Sequence, residues 1–275
     1  MARSNFHQLW DAADLNLRWR CAMPDTPKFK KLRIWNAVLA VLHLLQAGVI
    51  FAVSSDFKVP ITTTFLSSGT FETETNTLMQ IPVGPLVGIF LLISACAHTL
   101  MASPLFYKRY MRDLERHINY LRWYEYALSA SLMVVIIGML SGIFDASSMI
   151  MLFSLTAGMN LFGLMMELYN QNREQVSWTA FWFGTFVGIV PWIVIAWYFF
   201  GALASATGNI PTFVYFILGT LFVFFSSFAV NMVLQYKKVW KWKDYLFGER
   251  VYMILSLVAK SALAWQVFGG TLRPM

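Results

Sequence analysis

Charge is scarce in this 275-residue chain: Asp, Glu, Lys and Arg together make up 13% of it, about half the share of an ordinary soluble domain. Cysteine is nearly missing. Cys21 sits in the N-terminal tail and Cys96 inside an apolar stretch, so no disulfide framework is implied. There is no Gly-rich phosphate loop, no nucleophile elbow, no pair of catalytic acids and no zinc-ligand spacing, which leaves enzyme and metal-site readings without a foothold. The first thirty residues lack an apolar core and are broken by Asp11, Asp14, Arg18 and Arg20. No cleavable signal peptide is expected there, and the first span must direct insertion itself. Neither an internal repeat nor matched broken half-helices are found, which argues against a secondary transporter.

What the chain has instead is apolar length. It is 58% hydrophobic, with a mean hydropathy of +0.57. Stretches long enough to span a bilayer recur at 33–55, 82–103, 117–142, 147–169, 178–201, 211–236 and 249–270. The expected fold is an all-α membrane protein of seven transmembrane helices, a single domain over 1–275 with a tail at 1–32. Within that tail Phe6, Leu9, Trp10, Ala13 and Leu17 share one helical face, which predicts an amphipathic helix on the membrane surface. Between the first two spans, Val59–Phe65 and Thr70–Thr75 flank Ser67-Ser68-Gly69 and predict a β-hairpin, which caps the bundle or pairs with another subunit.

The formal net charge of +7 is distributed by side. Of 21 Lys and Arg, 18 fall before the first span or in the segments between spans two and three, four and five, and six and seven. The opposite side has Lys58 and Arg273. That asymmetry predicts a cytoplasmic N-terminus and an outside C-terminus in a cell membrane, and it explains the basic excess without nucleic acid. Basic loops facing anionic lipid are expected in this arrangement. Trp10, Trp35, Trp123, Trp178, Trp240 and Trp242 read as an interfacial belt, and Glu167 and Glu249 as acids needing only headgroup contacts.

Lys260 breaks the pattern. It sits near the middle of the last span, where an ammonium costs roughly 2.5–3.5 kcal/mol on insertion scales. Each surface is about 15 Å away at 1.5 Å per residue, too far for the stem to reach comfortably. A buried ion pair, a neutral amine or a covalent adduct such as a Schiff base each satisfies it. Glu125, in the third span at a similar depth, is its natural partner. His43 with Gln46 one turn on, and His98 in the second span, suggest a polar cavity in the same half, around which Ser94, Ser129 and Ser256 supply hydroxyls. The other half is nearly devoid of ionisable residues, which disfavours continuous proton pumping. For Trp182, Tyr198, Phe225 and Trp265, periodicity does not separate a ligand-facing aromatic from bundle core.

Taken together, Ser256-x-x-x-Lys260-Ser261, Arg122-x-x-Glu125-Tyr126-x-x-Ser129, His43-x-x-Gln46 and His98, set in seven spans of inverted orientation, resemble heliorhodopsins. Pumping microbial rhodopsins usually carry an Asp where Ser256 stands and a donor acid where Ile136 stands. The resemblance implies all-trans retinal on Lys260 as a protonated Schiff base, with Glu125 as counterion. It implies that Ser129, Ser256, Ser94 and Tyr126 surround the attachment, that Met159, Gly163, Trp182 and Phe225 line the polyene, and that His43, His98 and Gln46 border a proton cavity. It further implies a homodimer joined in part by the outer strands, and a light sensor with a slow photocycle that signals to a cytoplasmic partner. Two alternatives stay open: a light-gated channel or transporter on the same scaffold, and a retinal-free bundle in which Lys260 and Glu125 form a plain ion pair.

Overall fold

The computed structural model describes residues 26–67, 72–205 and 212–272. Helix α1 (Pro27–Val53) is followed by strands β1 (Lys58–Leu66) and β2 (Thr73–Pro82), then α2 (Val83–Ala102), α3 (Pro104–Glu115), α4 (Tyr120–Leu140), α5 (Ala146–Tyr169), α6 (Thr179–Ser205), α7 (Thr212–Tyr236) and α8 (Tyr245–Val267). Seven of these helices, all but α3, are long and apolar enough to cross a membrane. This is the expected seven-helix bundle with a hairpin between its first two spans. The amphipathic helix expected at 4–22 lies outside the described residues.

The sequence places stops and starts where backbone groups need partners. Ser103 caps α3 ahead of Pro104, Asn119 caps α4 by accepting from the Arg122 N–H, Asp145 caps α5 through the Ser148 N–H, and Asp244 caps α8 through the Leu246 N–H. The third span therefore starts at Tyr120 rather than 117, and the segment before it is a separate amphipathic helix. The last span starts at Tyr245, four residues earlier than hydropathy suggests.

β1 and β2 pair antiparallel from Lys58↔Pro82 to Leu66↔Thr73, with an irregularity at Ile61/Thr62. The second strand begins three residues later than expected and runs on to Pro82, because Leu78, Met79 and Ile81 continue the β pattern up to the helix start. The hairpin is anchored to the bundle. The Thr62 N–H donates to the Phe144 carbonyl at 2.8 Å, between α4 and α5, and the Val83 N–H to that of Phe57 at 3.0 Å.

At the other end the start of α1, helix α3 and the α5–α6 and α7–α8 turns come together. Arg33 donates to the Ala102 carbonyl at 2.8 Å, Lys28 lies 3.6 Å from Asp244, and His117 stacks on Tyr245. Among the described residues every Lys and Arg except Lys58 and Lys260 belongs to this basic end.

Candidate functional site

Lys260 and Glu125 meet. The two residues are 3% and 6% exposed, and Lys260 Nζ donates to Glu125 Oε1 at 2.6 Å and to Ser256 Oγ at 2.8 Å. The Ser94 hydroxyl donates to the same carboxylate oxygen at 2.7 Å. Ser129 is fully buried beside that carboxyl, and the Tyr126 ring lies 5.1 Å from the amine while its hydroxyl donates to the Tyr252 carbonyl. Helices α2, α4 and α8 thus each contribute to one buried polar centre. A charge pair enclosed this way offsets part of two desolvation penalties, and removing one partner strands the other.

His43 and His98 stack with ring centroids 5.7 Å apart, close enough to the Lys260–Glu125 pair to feel both charges. The two differ in their partners. His98 Nδ1 contacts Asn36 Oδ1 at 2.8 Å, and Asn36 in turn donates to the Tyr110 hydroxyl at 3.4 Å. Burial pushes that hydroxyl up to about 12, so it stays neutral as the end of the chain. Among the described residues, neither ring nitrogen of His43 has a hydrogen-bond partner, nor does the Gln46 side-chain carbonyl. Buried polar atoms left in this state mark places for water.

On its other side the amine opens onto an apolar cavity of about 40 Å³, bordered by Tyr126, Met133, Met159, Phe225 and Phe228. Met159, Asn160, Phe225 and Phe228 also border a second cavity of about 180 Å³ that continues between α5, α6 and α7 to Trp192. Glycines make room along it. A Cβ on Gly163 would lie 2.2 Å from Trp123, and one on Gly188 would lie 2.2 Å from the Met159 sulfur. An amine at the head of an elongated, nearly dry slot fits a long apolar carbonyl compound.

Met159, Gly163 and Phe225 border this space. Trp182 does not. It is 63% exposed on the outer surface of α6 with its ring against Phe181, and the cavity is closed instead by Trp192, ten residues on. The sequence signal for the correct side was Gly184-x-x-x-Gly188, which leaves a groove on one helix face; Trp192 lies one turn beyond it on that face.

Glu167 and Glu249 are also placed differently from expectation. They are 3% and 1% exposed and both pair with the Arg122 guanidinium, which lies between the rings of Trp123 and Tyr252. Glu167 further accepts from the indole N–H of Trp123 at 2.7 Å and from the Asn119 backbone at 3.0 Å, and Asn119 Nδ2 donates to Glu249 at 2.8 Å. Trp123 is therefore buried and hydrogen-bonded, not part of an interfacial belt. Hydropathy could not reveal this cluster, because acids near a span end read as solvated whichever way they point.

A seven-helix membrane bundle with a buried lysine on its last helix, a carboxylate against it from the third span and an apolar slot beyond has the construction of a retinal protein. The family model for heliorhodopsins matches residues 32–272, and the chain belongs to that family. No curated protein matches it. It is accordingly a multi-pass membrane protein and a retinal-binding photoreceptor rather than an enzyme.

Proposed function

We propose that Lys260 carries all-trans retinal as a protonated Schiff base with Glu125 as its counterion, and that the protein reports light through its basic, cytoplasmic end without net proton pumping. The observation that carries this reading is the Lys260 amine, held at 2.6 Å by Glu125 and facing an apolar slot. When bound, retinal would supply visible absorption and a light-driven isomerisation, with Lys260 providing the amine that holds it and Glu125 the facing carboxylate.

The remaining work falls to the protein. Ser94 and Ser256 hold Glu125 and Lys260 in register, so the resting positive charge is stabilised and its proton retained. Met159, Phe225 and Trp192 confine the polyene and exclude water from it. Among the described residues, the buried imidazoles within reach of a proton released near Glu125 lie on the basic side: His43, and His98 with its bond to Asn36. On the hairpin side it meets Val87, Ile136 and Leu263, none of which can carry it. It returns the way it left, which makes a slow photocycle and a conformational signal the natural output. The charge distribution supports a cytoplasmic N-terminus and contact of the basic end with anionic lipid and with a signalling protein. The exposed hairpin, with Phe65, Leu66, Leu78 and Met79 outward, supports a homodimer contact.

The test is spectroscopic. Protein purified with all-trans retinal should show a visible band that hydroxylamine bleaches. Lys260→Ala should have no such band, and Glu125→Gln should shift it to the red because the neutral amide no longer holds positive charge at the nitrogen. Visible pigment in Lys260→Ala, or an unshifted band in Glu125→Gln, overturns the assignment. Sustained photocurrents under illumination would replace the sensor with a light-gated channel.

A further inference from the structure

The basic end contains a further cavity, separate from the lysine slot, of about 230 Å³. Its walls come from three separate segments: His117 before α4; Asn170, Arg173 and Glu174 after α5; and Lys238 and Lys243 after α7. Its carboxylate floor, Glu167, shares the Arg122 guanidinium with Glu249, so that buried cluster keeps one negative charge. Arg173, Lys238 and Lys243 thus outnumber the two remaining negative charges, that of the cluster and that of Glu174. Neither Lys238 nor Lys243 has a carboxylate within 4 Å among the described residues, and the Arg173 guanidinium stacks on the Tyr169 ring at 3.9 Å with its edges free to donate. Trp242 forms a further wall, its ring fixed by an N–H bond to Asn231 at 2.6 Å.

The backbone adds a second observation. His117 and Lys238 each follow a helix end in the left-handed region, with φ of 59° and 52°, and close it through paired bonds back to the preceding turn. Glycine is the residue that fits such a position without strain. Here the chain instead carries an imidazole and an ammonium, and both line the same cavity. Strained backbone that persists at a polar cleft points to the side chains it presents.

We infer that this cavity is a binding site for a phosphate-class anion, with Lys238, Lys243 and Arg173 as its charge-assisted donors. A soluble phosphate and the headgroup of an anionic lipid share that chemistry. The floor residue Glu167 is bonded through Arg122 to the helix that carries Glu125 one turn further on, which gives an occupant mechanical contact with the light-absorbing site. That contact matters only if the photoreceptor reading holds. The binding does not depend on it, so the test uses protein prepared both without and with retinal.

The full chain in nanodiscs of zwitterionic lipid is titrated calorimetrically with inorganic pyrophosphate. Saturable binding is expected in both preparations, weakened at least roughly tenfold by the double change Lys238→Ala/Lys243→Ala and retained by Lys238→Arg/Lys243→Arg. In nanodiscs containing phosphatidylglycerol, weaker pyrophosphate binding identifies the lipid headgroup as a competing occupant, and unchanged binding identifies a soluble anion. Absence of saturable binding in zwitterionic nanodiscs, or full affinity in the double alanine variant, overturns the proposal. A Lys58→Ala change at the hairpin end should leave binding as it is.

Discussion

In the half of the bundle nearest the hairpin, the described interior is mostly apolar, with Ile50, Val87, Phe90, Ile136, Leu263 and Val267 essentially inaccessible and only uncharged polar groups such as Ser131 and Gln266 among them. In the basic half the same seven helices enclose Lys260 with Glu125, Arg122 with two glutamates, and His43 beside His98. Apolar packing is the inexpensive way to fill a helix bundle in lipid, since lipid tails and leucine are nearly equivalent surroundings. Buried ions are the costly way, and a hydrophobic replacement of similar volume is often as stable. Charges gathered in one half and absent from the other therefore indicate where the molecule does something beyond holding together.

The largest effect expected from breaking this contrast comes from Arg122→Ala. It leaves Glu167 and Glu249 facing each other in a buried site and should destabilise the fold by about 3–5 kcal/mol. Adding Glu167→Gln and Glu249→Gln should restore much of that loss. Thermal loss of the visible band is the measurement. If Arg122→Ala melts like the parent, the cluster is effectively solvated and the contrast between halves is false.

On the apolar side, Ile136→Ala removes a fully buried side chain from α4. The expected loss is about 2–5 kcal/mol, toward the lower end because lipid competes well for apolar surface. Absorption should not move, since Ile136 borders neither the amine nor the slot. A shifted band with unchanged stability would place the hairpin half inside the optical site and blur the two regions.

The sequence discloses the Lys260–Glu125 pair for the same reason the pair matters. Two ions at mid-depth in lipid have few alternatives to each other, and counting residues from the span ends brings them together. The seven spans and the hairpin are legible because length and alternation are local properties. Glu167, Glu249 and Trp182 are not. The two acids lie within a turn or two of a span end, where depth alone does not distinguish a solvated carboxylate from one turned inward. Helix α6 is apolar on every face, so hydropathy does not tell which side meets the cavity, and the Gly184–Gly188 spacing is the one local mark of it. Only the packing around Gly184 and Gly188 separates Trp182 from Trp192.

The smallest effect tests the edge of the basic half, where solvent begins. Asp113 on α3 is largely buried, with Arg109 and Arg112 each 3.8 Å away. Burial raises its carboxyl above the ordinary value despite the opposing attraction of those arginines. A folded value above the unfolded one means the native state holds the proton more tightly. The resulting stabilisation is complete below the unfolded value, near 3.9, and is lost as pH rises through the folded value. Asp113→Asn removes that dependence. The variant should match or exceed the parent at pH 7, by at most about 1 kcal/mol given the exposed arginines, and should show a flatter stability profile above pH 4. Thermal melts of the pigment at a series of pH values provide the comparison. A variant less stable at pH 7 would mean that the arginine pairs outweigh burial at this site, and that even the solvent edge of the basic half gains from its ions.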